Sequence, residues 1–173
     1  MPTRTEEAAS KVMGGVKATK ATIEGLHGVF KKLAEEHGQV TALLLRVKMS
    51  SDADVRRNLF PEIRSQLLAH EKGELREVYP VFMDHPDLQG RAHDHDREAG
   101  ELEQLLDRHN GTAFEEKSWK DMFDRLVELV SHHTEEEENE YFPAGERVLG
   151  QEEAERLESR YEAAKAEAMR QPH

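Results

Sequence analysis

Apolar residues recur along this sequence in alternating steps of three and four, the spacing of one helix face, and that period sets the fold class. From Thr22 to Met49 the series runs Ile23, Leu26, Phe30, Leu33, Val40, Leu44, Val47. Ser51 and Asp52 can cap a second helix carrying Ile63, Leu67, Val78 and Val81, which Pro61 should interrupt or restart and which should end near Asp84. Pro86 suits the first turn of a third helix, seamed by Leu88, Ala92, Ala99, Leu102 and Leu106 and stopped at Asn110-Gly111. Trp119, Phe123, Leu126, Val130, Tyr141 and Val148 mark a fourth, starting near Phe114 or near Ser118. Short connections between long amphipathic helices force antiparallel neighbours. The expected fold is therefore all-α, an antiparallel up-down-up-down four-helix bundle over residues 21–149. An extra C-terminal helix in 150–173, from Gln151 to Arg170 with a stripe of Ala154, Leu157, Tyr161, Ala164 and Ala168, should pack outside as an appendage. Residues 1–20, small and polar around Gly14-Gly15, read as a loose arm or short accessory helix.

The four seams have gaps, and the gaps are filled by histidine and glutamate. The first reads Phe30, Leu33, His37, Val40, Leu44; the second Leu67, His70, Glu74, Val78; the third Ala92, His95, Ala99, Leu102; the fourth Val130, His133, Glu137, Tyr141. Each helix thus aims one His at the bundle interior, and two also aim a Glu one turn later on the same face. At ~1.5 Å per residue, Glu74 and His95 stand at about the same height above the loop joining their helices. A buried carboxylate without a partner is expensive and escapes by protonation or by taking a cation. Four imidazoles and two carboxylates converging from four helices suit a pair of metal ions, and the mixed His/Glu set fits iron. The pairs His70/Glu74 and His133/Glu137 also recur in one phrase, since Tyr79-Pro80 and Phe142-Pro143 follow the two glutamates at equal offsets.

Other residues carry less. His27, His93 and His132 neighbour the seams and read as rim residues, while His85, His109 and His173 sit at helix or chain ends where capping or solvation suffices. Within the run Glu135 to Glu138 only Glu137 has the seam phase, so the rest reads as a solvated acidic face. Tyr79 and Tyr141 read as packing, with hydrogen bonding to the site left open.

Composition narrows the partners. A formal net charge of −12 argues against nucleic acid and anionic membrane surfaces, and the absence of cysteine leaves histidine and carboxylate as the only strong metal ligands. No apolar run approaches the ~20 residues that span a bilayer, and a cytoplasmic location is expected.

With these residues in hand, the phrases AEEHGQVTALL, LLAHEKGELREVYPVF, HDHDREAGELEQLL and SHHTEEEENEYFPAGERVL resemble, in order, the four helices of the hemerythrin-like family in its HHE cation-binding type. The resemblance covers about residues 22–148. It implies two non-haem irons, with His37, His70, His95 and His133 as terminal ligands and Glu74 and Glu137 bridging beside an oxo or hydroxo group. The oxygen-carrying members place a further His where this chain has Ala99, and their second bridging carboxylate is usually an Asp five residues after the last His. The implied function is binding of, or reaction with, dioxygen, hydrogen peroxide or nitric oxide. A sensor or iron store using the same site is the alternative.

Overall fold

The computed structural model describes residues 25–171, so the expected N-terminal arm, Ile23 and His173 lie outside the described residues. Within them every regular element is helical. The order is α1 (Gly28–Lys48), α2 (Ala53–Gly73), α3 (Tyr79–Met83), α4 (Gln89–Asn110), α5 (Lys117–Glu136), α6 (Phe142–Leu149) and α7 (Gln151–Arg170). One π-helical turn, Glu74–Val78, joins α2 to α3, and a second, Glu137–Tyr141, joins α5 to α6. The bundle thus has four rods, two of them single helices and two widened by one turn.

Helix ends reflect local chemistry. Asp52 caps α2 by accepting from the Asp54 N–H at 2.9 Å. Contrary to expectation, Pro61 does not interrupt α2. It and Arg57, whose carbonyl loses a donor, are both exposed, so water can serve the orphaned group while buried Phe60 and Ile63 hold the rod on either side. The third rod begins at Gln89 rather than Pro86, because residues 86–88 form a turn in which the Leu88 N–H donates to His85 O at 2.9 Å. The fourth begins at Lys117, next to the Ser118 alternative.

The π turns have a common cause. Pro80 and Pro143 lack an N–H and would crowd the carbonyl four residues back, so the preceding turn widens and the bond skips to the fifth residue. The Tyr79 N–H donates to Glu74 O and the Phe142 N–H to Glu137 O. The extra residue rotates the downstream side chains by about 100°. Phe142, Ala144 and Gly145 therefore face inward, whereas Val148, counted on the fourth seam, is 38% exposed.

α1 packs on α2 and α5, and α4 packs on the same two, which closes the four-helix bundle; α7 lies along α1 and α2. Although outside the four rods, α7 is no loose appendage, since Ala154, Leu157, Tyr161, Ala164 and Ala168 are all buried. Its start presses on the start of α1. Gly28 has φ 52°, and a Cβ there would come within 2.2 Å of the Ala154 backbone.

The apolar core is split in two. One block gathers Val40, Leu44, Phe60, Ile63, Leu106, Trp119, Phe123 and Leu126. The other gathers Phe30, Leu33, Phe82, Leu88, Phe142, Leu157 and Tyr161. Burying each large apolar side chain contributes ~1.5–3 kcal/mol, so the two blocks hold the rods together around whatever separates them. What separates them is a polar layer.

Candidate metal centre

All six residues singled out from the seams meet in that layer. His37, His70, His95 and His133 are buried, and Glu74 and Glu137 are 0% exposed. Two donor sets form, each with its ligand atoms within 4.8 Å of one another: His37, His70, Glu74 and Glu137, then Glu71, Glu74, His95 and His133. In the first, the Nε2 atoms of His37 and His70 stand 3.2 Å apart, and His37 Nε2 is 3.1 Å from Glu137 Oε2. In the second, His95 Nε2 is 3.1 Å from Glu74 Oε2 and 3.4 Å from Glu137 Oε1, while His133 Nε2 is 3.1 Å from Glu71 Oε1. Glu74 and Glu137 each face histidines of both sets. Two donors held at right angles by one ion at ~2.0–2.1 Å would stand about 3 Å apart, so this spacing suits shared cations.

The arrangement leaves donor atoms without hydrogen bonds in good geometry: Glu71 Oε2, Glu74 Oε1, Glu137 Oε2 and His133 Nε2. Such atoms, buried, oppose folding unless something takes their lone pairs. The donor set therefore fits metal cations.

Further carboxylates that seam phase did not reveal hold the outer nitrogens of three of these histidines. The His70 Nδ1–H donates to Glu36 at 2.9 Å, His37 Nδ1 pairs with Glu138 at 2.9 Å, and His133 Nδ1 pairs with Glu98 at 2.9 Å. Each carboxylate serves a histidine on a neighbouring rod. Holding Nδ1 leaves Nε2 as the free donor and raises its basicity. His95 is the exception. Its Nδ1 has no partner, and its ring stacks on Tyr79 with centroids 3.6 Å apart. Tyr79 does hydrogen-bond in the site, donating to Glu137 Oε1 at 2.6 Å.

The layer's electrostatics without a cation arise from these contacts. Burial would depress the His70 imidazolium, but the Glu74 charge and the Glu36 hydrogen bond outweigh it and lift it to about 10. Burial would raise the Glu74 carboxyl, yet His70 and His95 bring it down to about 2. These carboxylates and imidazoles thus hold one another in their charged forms.

Four residues missed on the sequence are Glu36, Glu71, Glu98 and Glu138. Three of them adjoin a seam His or Glu, and a step of one residue turns the side chain ~100° towards the next rod. Glu138 is 6% exposed, which corrects its reading as part of a solvated face, and the π turn beginning at Glu137 carries both glutamates inward. Ala99 and Gly100 line, with Glu71, a cleft of about 170 Å³. His27 and His132 are exposed and pair with Glu146 and Glu136, and His93 is exposed, so all three are rim residues. His109 is not solvated: it is 1% exposed, with its ring against Phe60, Trp119 and Phe123.

A cavity of about 90 Å³ opens beside the centre, walled by His70, Glu71, His133, Val40, Leu67 and Val130 among others. No helix among the described residues is long and apolar enough to cross a membrane. The family model described as the hemerythrin HHE cation-binding domain matches residues 27–145. Neither the curated proteins nor the solved structures gave a match.

Proposed function

The chain belongs to the hemerythrin HHE cation-binding domain family, and from that premise we propose that it is a non-haem di-iron protein that binds or reacts with dioxygen, hydrogen peroxide or nitric oxide. One observation carries the reading. Glu74 and Glu137 are fully buried, each keeps a carboxylate oxygen without a hydrogen bond in good geometry, and each faces histidines of both donor sets. His37 and His70 would hold one iron, His95, His133 and Glu71 the other, with Glu74 and Glu137 reaching both. Imidazole with carboxylate suits iron better than the all-oxygen sets that calcium and magnesium require.

Bound iron would supply the redox chemistry, and the chain supplies the setting. Glu36, Glu98 and Glu138 fix the imidazoles on their Nδ1 side. Tyr79 turns Glu137 by donating to Oε1, which leaves Oε2 facing His37. The two apolar blocks exclude bulk water from above and below. The adjoining cavity, at about 90 Å³, is smaller than the ~150 Å³ apolar cavity that admits benzene. A diatomic or peroxide is the size of guest it supports.

The test is metal content with spectroscopy. Chain made in iron-replete medium should carry about two irons, and His70→Ala, His133→Ala and Glu71→Ala should each lower that number, because each removes a ligand from a shared site. Iron retained in full by folded forms of all three would refute the ligand assignment. Repeated consumption of peroxide or nitric oxide by the loaded chain, against one stoichiometric event, separates an enzyme from a sensor or store.

A further inference from the structure

The matched family domain ends at residue 145, yet α7, which lies beyond it in the chain, reaches the candidate metal centre. Tyr161 is 0% exposed. Its hydroxyl donates to Glu36 Oε2 at 2.5 Å and lies 3.1 Å from His70 Nδ1. That same Glu36 oxygen accepts from His70 Nδ1 at 2.9 Å, and the other, Oε1, lies 2.9 Å from Lys165 Nζ. Both oxygens of Glu36 are thus held from α7. The Tyr161 ring also meets the His70 ring edge-on, with centroids 6.0 Å apart. α2 makes room for this contact with Gly73, where a Cβ would stand 2.6 Å from Tyr161 Cε2.

The bracing from α7 is one-sided. In the other half of the centre His95 has no partner on Nδ1, and His133 is held by Glu98 from α4. A carboxylate on the outer nitrogen of a metal-bound imidazole fixes its tautomer and aim, and loss of such a partner typically costs 10–100-fold in metal affinity or activity.

We propose that Tyr161 and Lys165 are positioning residues for the His37/His70 half of the centre: acting through Glu36, they hold His70, so that retention of the cation in that half depends on the docked C-terminal helix. This rests on the reading of the layer as a two-cation centre and extends it to a segment beyond the family domain.

The experiment uses the full chain, loaded anaerobically with Fe(II) or with Co(II), whose visible bands report imidazole ligation, and tracks release of each cation into a chelator. Tyr161→Phe removes one hydroxyl from the core, and Lys165→Met removes the charge from a partly exposed site. Each should speed release of one cation by about tenfold or more and leave the other within about twofold of wild type. In a Glu36→Gln background, Tyr161→Phe should add nothing. The proposal is overturned if both variants fold and release both cations at the wild-type rate. It is equally overturned if they speed both releases alike, the mark of loosened packing. Should the wild type hold no cation, the two-cation reading itself falls and takes this proposal with it; should it hold two and the variants match it, only the positioning role falls.

Discussion

Among the buried imidazoles, His109 shows what a histidine does when it serves only the core. Its Nδ1 lies 3.1 Å from Leu105 O, and aromatic rings enclose the rest. Burial, the largest influence, holds its pKa below the ordinary value. No carboxylate lies against it among its hydrogen bonds and ion pairs, whereas His37, His70, His95 and His133 each face at least one. Truncation should therefore separate the two kinds. His109→Ala is expected to lower stability by about 2–4 kcal/mol through the cavity it leaves, with cation content per folded chain unchanged. Denaturant melts and metal analysis on the same sample check this, and loss of metal from folded His109→Ala would count against the distinction. On the sequence His109 passed for a helix-end residue because its position near Asn110-Gly111 hid the aromatic cage that α5 folds over it. The glutamates missed on the sequence were hidden for a related reason. Glu36, Glu71 and Glu138 sit one step from a seam His or Glu, off their own helix's seam, and meet their partners only on the neighbouring rod.

At the scale of elements, the repeated phrase ending in Tyr79-Pro80 and Phe142-Pro143 was legible, but its consequence was not. Proline disfavours the ordinary i to i−4 bond, and the rods answer with π turns that begin at Glu74 and Glu137. Whether a helix kinks, stops or widens at proline depends on what packs beside it: at Pro61 the rod simply continues. The docking of α7 offers a direct test. Gly73→Ala would drive a Cβ into the Tyr161 ring, and neither α2 nor the buried ring can yield freely. The substitution should cost about 1–3 kcal/mol, although alanine is the better helix former. Thermal melts of the two forms decide it, and a Gly73→Ala chain more stable than wild type would show that α7 does not press on α2 at this point.

For the whole molecule the polar layer sets the dependence on pH. His70 has a folded value of about 10 against an ordinary 6.5, so its contribution is full below 6.5 and is lost as pH rises towards 10. Glu36 and Glu74 are brought down to about 2 from 4.5: burial opposes this, but contacts with His70 dominate. Their contribution is full above 4.5 and is lost as pH falls towards 2. The metal-free chain should therefore be most stable between these windows, from about pH 4.5 to about pH 6.5. Cations need neutral imidazoles and bind more tightly as protons leave. The gap in Tm between loaded and metal-free chain should accordingly widen from about pH 6 to about pH 9. Paired melts across that range measure it, and a gap that stays constant or narrows would refute this account of the layer.

The pattern of residues alone was enough for the all-α bundle, the four rods and the meeting of His37, His70, Glu74, His95, His133 and Glu137. Helical period fixes which side chains share a face, and a polar residue on an apolar face has nowhere to go but the interior. Packing supplied what period cannot encode, namely contacts between faces of different rods. Glu71 joins the donor set from α2, Glu36 and Glu98 hold histidines on other helices, and Tyr161 reaches Glu36 from a helix 125 residues further along the chain. Such partners are set by how the rods are rotated against one another, and that rotation emerges only when both apolar blocks are packed.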